Sequence, residues 1–253
     1  MNTKKFRILR FKKKPLLVAK KISKNFDRPI LKQISFDVHP GEVFGVLGPN
    51  GCGKTTLFNC LLGIHRLDGG DFFIKGQSLK NLPIHVRAKQ FQLSYVPQNA
   101  ACFLGLSVES NIECMCEMKI EDKIKRKDVL QEILTRFSLE HIKTTLAKKL
   151  SGGEKRRLSI GMALVTRPSL LLLDEPFSAL DPLVVETIRK IITDLQHSSI
   201  SVILSDHNIS STLTTCDRAI LISQGSVLVS GTSKTIAEST LAKKTYLGES
   251  FKF

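Results

Sequence analysis

Residues 48–55 read Gly48-Pro49-Asn50-Gly51-Cys52-Gly53-Lys54-Thr55 and match the pattern G-x-x-x-x-G-K-S/T at every fixed position. The run follows an apolar stretch from Glu42 to Leu47 that is typical of a strand, and a helical pattern continues from Thr55 to about Leu62. In such a unit, glycines let backbone N–H groups turn inward around phosphate oxygens, and the helix N-terminus adds its positive dipole. Lys54 can pair with the β- and γ-phosphates, and the Thr55 hydroxyl can ligate Mg²⁺. This run, called the P-loop below, predicts a nucleotide site that would equally suit a kinase, a GTPase or a helicase.

A second motif joins an apolar strand to two acids, Leu170-Leu171-Leu172-Leu173-Asp174-Glu175. The carboxylates are therefore expected at the C-terminal edge of a sheet, where ligands of α/β proteins bind. Asp174 is predicted to hold the Mg²⁺ shell, and Glu175 to act as a general base or to orient the attacking water. A plain strand followed by an acidic turn is the alternative, and the presence of a P-loop argues against it.

The third motif is Leu150-Ser151-Gly152-Gly153-Glu154-Lys155, upstream of the two acids. Taken alone, it predicts a helix N-cap after a flexible turn. Together with the other two motifs, it resembles the signature of the ATP-binding cassette (ABC) ATPases. The resemblance implies that the Ser151 hydroxyl, the glycine amides and the helix dipole contact the γ-phosphate of ATP bound to a second subunit. Catalysis would then require a two-fold homodimer that holds two ATP molecules.

Further positions resemble the remaining motifs of this family, in the family's order. Gln98, in Tyr95-Val96-Pro97-Gln98, resembles the Q-loop glutamine, which reaches Mg²⁺ and water. Asp181 ends a run similar to the D-loop, His207 follows a strand as the family's switch histidine does, and Phe26 stands where an aromatic ring stacks on adenine. Cys52 replaces the usual Ala or Ser of the P-loop, which predicts sensitivity to thiol reagents.

The resemblance thus implies ATP and Mg²⁺ as ligands and a defined set of site residues. Catalytic roles fall to Lys54, Gln98, Glu175 and His207, and Mg²⁺ contacts to Thr55, Gln98 and Asp174. The predicted nucleotide contacts are Phe26, Gly48, Pro49, Asn50, Gly51, Cys52, Gly53, Lys54, Thr55, Thr56, Ser151, Gly152, Gly153 and Asp181.

The expected fold is α/β, because short apolar runs alternate with helical patterns. The family resemblance implies a P-loop NTPase (RecA-like) core with a mixed or parallel sheet, an N-terminal antiparallel β subdomain and an inserted helical subdomain. We expect a single ABC ATPase domain over residues 16–253, with the helical subdomain at about residues 99–165. No apolar run approaches the roughly 20 residues that cross a bilayer, so we expect a cytoplasmic protein held peripherally on the inner membrane by its partners.

The charge of the chain leaves a question open. The formal net charge is +15, and residues 1–15 contain seven Lys or Arg and no acid. Such an arm, predicted to be flexible, can bind an anionic membrane surface or nucleic acid, or can simply be solvated. A non-transport ABC ATPase acting on DNA or ribosomes is the hypothesis from another class. It is disfavoured because the chain has neither a second ATPase domain nor a long coiled coil, and no nucleic-acid partner is expected.

The resemblance also implies two membrane-spanning permease subunits, which dock in a groove after Gln98. Phe103 would be the apolar anchor there, with residues 99–102 beside it; the alternative is that Phe103 belongs to a core. Within the family, three stretches are similar to the ATP-binding subunits of lipopolysaccharide exporters: residues 81–88, residues 95–103 and the C-terminal Tyr246-Leu247-Gly248-Glu249-Ser250-Phe251-Lys252-Phe253. Branched-chain amino-acid importers have similar subunits and are the alternative.

Overall fold

The computed structural model describes residues 14–99, 101–249 and 251. Of the predicted basic arm, residues 1–13 therefore lie outside the described residues, as do Ala100 of the predicted groove and Ser250, Lys252 and Phe253 of the C-terminal stretch. Two sheets and the helices around them make up the described part of the chain. The predicted α/β class is confirmed.

The central sheet carries the motifs at one edge. Its strand order is β10-β9-β3-β8-β7-β6, and the pairs from β9 to β6 are parallel. Three of these strands, β3, β7 and β8, are buried along their whole length, which explains why each reads as a continuous apolar run. Because parallel strands end at the same edge, the residues after β3, β6, β7 and β8 meet there. The strands are β3 (Val43–Leu47), β6 (Leu93–Val96), β7 (Leu170–Asp174), β8 (Ser201–Ser205), β9 (Arg218–Ser223) and β10 (Ser226–Thr232).

A smaller antiparallel sheet has the order β2-β1-β4-β5, as expected for the N-terminal β subdomain. Its strands are β1 (Leu17–Asn25), β2 (Pro29–Val38), β4 (Gly69–Ile74) and β5 (Gln77–Ser78). The sequence contains turn signals at Asp27-Arg28-Pro29 and Asp68-Gly69-Gly70. The first lies where β1 passes into β2, whereas Gly69 and Gly70 already belong to β4. Gly70 has a φ of 78°, a conformation in which glycine avoids side-chain clashes inside the strand.

The first helix, α1, begins at the end of the P-loop. Helix α6 illustrates how the sequence specifies a helix. Asp181 precedes α6 and Pro182 occupies its first turn, where the missing N–H costs nothing. Val185, Ile188 and Ile192 then recur at helical spacing and are buried. The helices are α1 (Lys54–Leu62), α2 (Ile84–Gln90), α3 (Val108–Lys119), α4 (Lys123–Arg136), α5 (Gly152–Leu164), α6 (Pro182–His197), α7 (Ile209–Thr215), α8 (Ser233–Glu238) and α9 (Thr240–Ala242), with 3₁₀ turns at Glu140–Ile142 and Ala147–Lys149 and a π-helical turn at Lys243–Leu247.

Helices α3, α4 and α5 occupy the range expected for the inserted subdomain and contact one another. Their apolar side chains do not form a separate core. Ile112, Ile133 and Leu158 belong to the same buried cluster as Leu171 and Val202 of the central sheet. No helix among the described residues is long and apolar enough to cross a membrane.

Candidate functional site

The P-loop follows β3 and contains glycines in backbone conformations that residues with a side chain rarely adopt. Gly48 has a φ of 151° and Gly53, which precedes α1, a φ of 107°. A Cβ atom on Gly48 would lie 2.3 Å from the Ile222 carbonyl oxygen and 2.6 Å from Cys52 Sγ. Glycine is therefore required for the loop to pass beneath β9, quite apart from any ligand.

Lys54 is folded back against this loop. It is only 5% exposed, and its Nζ donates to the carbonyl oxygens of Gly48 (2.8 Å) and Pro49 (3.1 Å). These hydrogen bonds hold the ammonium group inside the loop, where the backbone N–H groups and the dipole of α1 also favour an anion. The P-loop is thus a preformed concentration of positive charge.

Thr55 connects the P-loop to the acidic end of β7. Its Oγ1 donates to Asp174 Oδ2 at 3.1 Å, and Tyr95 Oη donates to the same oxygen at 3.2 Å. Ser205 Oγ donates to the other oxygen, Asp174 Oδ1. Burial, reinforced by the Asp174 carboxylate, raises the pKa of Tyr95 well above its usual value, so Tyr95 remains a hydrogen-bond donor.

A magnesium ion fits this corner by the chemistry of its donors. A hydroxyl and a carboxylate are hard oxygen ligands, and Mg²⁺ in nucleotide sites takes few protein ligands and completes its shell with phosphate and water. Among the described residues there is no cluster of three or more His, Cys, Asp or Glu side chains arranged for a metal. The two oxygen donors of Thr55 and Asp174 suit an ion that takes its remaining ligands from phosphate and water.

Glu175 stands in a strained backbone position at the end of β7. Its φ is 48°, unusual for a residue with a side chain, and its N–H donates to the Ser205 carbonyl at 2.7 Å. Its Oε2 accepts from Gln98 Nε2 at 2.8 Å and lies 3.2 Å from His207 Nδ1. The structure thus brings together three of the residues predicted to be catalytic, although they come from three different loops.

Asp206, next to His207, organises the loops behind this group. It is fully buried, and its carboxylate accepts the backbone N–H of Phe177 and of Asn208, each at 2.8 Å. Burial raises the pKa of Asp206, and the two N–H donors partly oppose that shift.

One cavity of about 460 Å³ unites most of the predicted residues. Gly48, Pro49 and Asp174 do not line it but contact Lys54 or Thr55, which do. The predicted residues on its wall are Phe26, Asn50, Gly51, Gly53, Lys54, Thr55, Thr56, Gln98, Glu175 and His207.

The predicted signature residues do not reach this cavity. Ser151 caps α5, and Glu154 completes a capping box with it. A Cβ atom on Gly153 would lie 2.5 Å from Val184 Cγ1, so the start of α5 packs against the start of α6. Ser151, Gly152 and Asp181 are exposed, and none of them lines the cavity that contains the P-loop of the same chain.

Sequence reasoning missed Arg156, which links α5 to the cavity. Its side chain is 5% exposed and donates to the carbonyl oxygens of Pro97 (2.9 Å), Gln98 (2.6 Å) and Glu175 (3.3 Å). Burial lowers the pKa of Arg156, and the neighbouring Asp206 and Asp174 carboxylates oppose that shift. The sequence did offer one signal for Arg156: it is a basic residue at a position of α5 that faces the protein interior.

Tyr246 was also missed as a site residue, and no local pattern could have found it. Its hydroxyl donates to the Gly48 carbonyl at 3.0 Å, across 198 positions of sequence. Burial raises the pKa of Tyr246 to about 12.

Burial also raises the pKa of the Cys52 thiol, and Cys52 is only 7% exposed. The structure therefore argues against the expected reactivity of Cys52 toward thiol reagents.

A second cavity, of about 370 Å³, follows Gln98 and is mainly apolar. Ala101, Cys102 and Phe103 line it together with Met115 and Met162. Phe103 is 49% exposed, so it is a surface residue and not part of a core. This cavity is called the apolar groove below.

The chain matches the family model described as "ABC transporter" over residues 31–178. The lipopolysaccharide export system ATP-binding protein LptB of Haemophilus influenzae is 38% identical over 239 residues, which cover 94% of this chain and 99% of that protein. The protein of the same name from Escherichia coli is 39% identical over 240 residues, with 93% of this chain and 98% of that protein covered.

Solved structures agree with these sequence matches. The structure of cbiO1 from Clostridium perfringens, part of the ABC transporter complex cbiONQ, superposes with a TM-score of 0.81 at 27% identity. The match covers 88% of this chain and 90% of that one.

Proposed function

Because the chain belongs to the ABC transporter family of ATP-binding proteins and hydrolyses ATP in a transport system, we propose that it works as a homodimer that powers lipopolysaccharide export. The single observation that carries the mechanism is the cavity in which the P-loop, Gln98, Glu175 and His207 meet. Its positive lining suits a triphosphate, and its carboxylate and amide groups suit a water molecule next to the last phosphate.

In the proposed reaction, Lys54 leaves the Gly48 and Pro49 carbonyls and pairs with the phosphates of ATP. Glu175 accepts a proton from the attacking water or orients it, and Gln98 and His207 position that water and the γ-phosphate. The existing contacts of Glu175 with both side chains support these roles. Mg²⁺, held by Thr55 and Asp174 with Gln98 nearby, would neutralise charge that develops on the phosphate oxygens.

The proposed dimer places the signature of one subunit over the P-loop of the other. The position of Ser151 and Gly152, exposed and outside the cavity of their own chain, supports this arrangement. Leu183, at the start of α6, is 84% exposed beside them, an apolar side chain that a partner surface would cover. Asp181 would lie in the same interface.

The apolar groove is the proposed docking site for the membrane permeases. In the proposed dimer, the groove of each copy would receive one of two permease subunits. A helix from each permease would place an apolar side chain among Met115, Met162 and Phe103. The protein would then be peripheral on the cytoplasmic face of the inner membrane, where residues 1–15 would lie near anionic lipid.

Lipopolysaccharide is the proposed cargo because both relatives described above are named for its export and are covered almost completely. The C-terminal aromatic-basic extension past Glu249 agrees with that choice. A branched-chain amino-acid importer remains the competing assignment for the test.

The test is to purify the chain from gently solubilised membranes of its native host and to reconstitute the complex in vesicles that contain lipopolysaccharide. ATP-dependent extraction of lipopolysaccharide is the expected result, with ATP hydrolysis stimulated by the co-purified permeases. Recovery of amino-acid permeases, or hydrolysis without any lipopolysaccharide extraction, would reject the proposed cargo and leave the ATPase chemistry intact.

A further inference from the structure

The ring of Phe26, the proposed platform for the adenine base, is held by two neighbours that no family motif includes. Lys24 Nζ lies over the ring at 5.2 Å from its centroid, and the His65 ring meets it edge to face at a centroid distance of 5.2 Å and an angle of 81°. Phe26 is nevertheless 52% exposed and lines the nucleotide cavity, so part of the ring stays available to a ligand.

Lys24 is fixed in place by Asp68. The Lys24 side chain is only 14% exposed, and its Nζ lies 3.2 Å from Asp68 Oδ1. The second oxygen, Asp68 Oδ2, accepts the Asn25 N–H at 2.5 Å, and these contacts lower the pKa of Asp68. The ammonium group over Phe26 is therefore anchored to Asp68, which directly precedes β4 and is itself bound to the end of β1 through the Asn25 N–H.

His65 joins the ring to the helix that carries the phosphate site. The P-loop opens α1 at its N-terminus, and His65 follows the C-terminus of α1, where its N–H donates to the Asn59 carbonyl at 3.2 Å. A single helix thus sets the position of the phosphate loop at one end and of a contact to Phe26 at the other. Rigid ligand contacts of this kind lower the ordering cost of binding.

We propose that Lys24 and His65 are positioning residues for the nucleotide base, because they fix the Phe26 ring at a set distance from the P-loop before ATP binds. This inference rests on the proposed function of Phe26. Neither residue lines the cavity that contains the P-loop, so both act on the binding of the base and not on hydrolysis.

The experiment measures KM and kcat for ATP, and inhibition by inorganic tripolyphosphate, with the full chain in its membrane complex. His65→Ala and Lys24→Met are each expected to raise KM for ATP about three- to tenfold, from the usual strength of aromatic and cation–π contacts, with kcat unchanged. Tripolyphosphate, which has no base, should inhibit these variants as well as it inhibits the wild type. His65→Phe should restore KM, because it keeps the aromatic edge.

Lys20→Met is the matched control, because Lys20 Nζ lies over Phe73 at 4.9 Å on the same strand. It should leave KM unchanged. In a Phe26→Ala background, His65→Ala should add nothing. A fall in kcat at constant KM, an equal loss of tripolyphosphate inhibition, or a full additional effect in that background would overturn the inference. If Phe26→Ala alone left KM unchanged, the base platform itself would be rejected.

Discussion

Arg156 is the residue whose contacts suggest the sharpest test of the site. Its guanidinium group bridges the carbonyls of Pro97, Gln98 and Glu175, so it fixes the Gln98 loop relative to the end of β7. Lysine keeps the charge but cannot span carbonyls in this planar geometry. Since a hydrogen bond to a charged group contributes about 1.5–3 kcal/mol, we expect Arg156→Lys to lower kcat roughly tenfold or more, measured by phosphate release.

The neighbouring Arg157 provides the control. It also donates to two carbonyls, those of Phe137 (3.1 Å) and Ser138 (3.3 Å), but these follow α4 and do not line the nucleotide cavity. Arg157→Lys should therefore leave kcat unchanged. Equal losses of kcat in the two variants would show that Arg156 acts through general stability alone.

Glu175 permits a second test at the same scale. Glu175→Gln keeps the size of the side chain but removes the proton acceptor, so ATP hydrolysis should fall on the order of a hundredfold or more. ATP binding should persist, because Glu175 has no part in the P-loop. Size-exclusion chromatography with ATP should then show a trapped dimer, and normal hydrolysis by this variant would contradict the role assigned to Glu175.

Among the secondary-structure elements, helices α4 and α5 pack closely enough for their contact to be tested. Gly161 of α5 faces α4 so closely that a Cβ atom would lie 2.8 Å from Ile133 Cγ2 and 3.4 Å from Phe137 Cδ2. Alanine normally favours a helix, but here the steric conflict should outweigh that gain. We expect Gly161→Ala to lower the free energy of unfolding by about 1–3 kcal/mol, measured by urea denaturation.

Gly105→Ala is the matched substitution for this measurement. A Cβ atom there meets no heavy atom within 4 Å, and the backbone of Gly105 is not left-handed. Its effect should be within about 0.5 kcal/mol, as for most surface changes. A destabilisation by Gly105→Ala equal to that of Gly161→Ala would contradict the packing argument.

At the scale of the whole molecule, a buried ionic group joins the two sheets. Glu42 is 2% exposed and precedes β3; its Oε2 accepts the His39 N–H at 2.6 Å. Arg218 of β9 lies 3.3 Å from Glu42 and 3.2 Å from Asp37 of β2. Burial raises the pKa of Glu42 to about 7, although the His39 N–H and Arg218 act in the opposite direction.

This shift predicts how stability depends on pH. The folded protein binds the Glu42 proton more tightly than the unfolded chain, whose pKa is near the ordinary 4.5. The resulting stabilisation is complete below pH 4.5 and is lost as pH rises through about 7. Relative to Glu42→Gln, the unfolding free energy of the wild type should therefore fall by on the order of 3 kcal/mol over that window.

Urea denaturation of both proteins at a series of pH values measures this difference. Asp37, Asp217, His39 and Arg218 also face Glu42, and because both proteins retain them, the comparison isolates the carboxyl group. A difference in stability that stays constant from pH 4 to 8 would show that folding leaves the pKa of Glu42 unchanged.

Local motifs could be read from the sequence alone. A P-loop needs glycines and a lysine at consecutive positions, and a buried parallel strand needs a continuous apolar run, so both are visible without knowledge of the fold. For the same reason the α/β class, the family and the ATPase activity followed from short stretches such as residues 48–55 and 170–175. The same reasoning was wrong for Gly69 and Gly70. Their residue types indicated a turn, but they belong to β4, which pairs with β1.

Which residues from distant segments share the site depends on the tertiary structure. Arg156 meets the Gln98 loop, Tyr246 meets Gly48, and His65 meets Phe26, and none of these pairs shares a local pattern. Each contact depends on how strands and helices pack at the common edge of the central sheet. Hydrogen bonds and ring contacts act over a few ångströms in space, whereas sequence patterns report only neighbours along the chain, and this difference is the physical reason that these residues were not predicted.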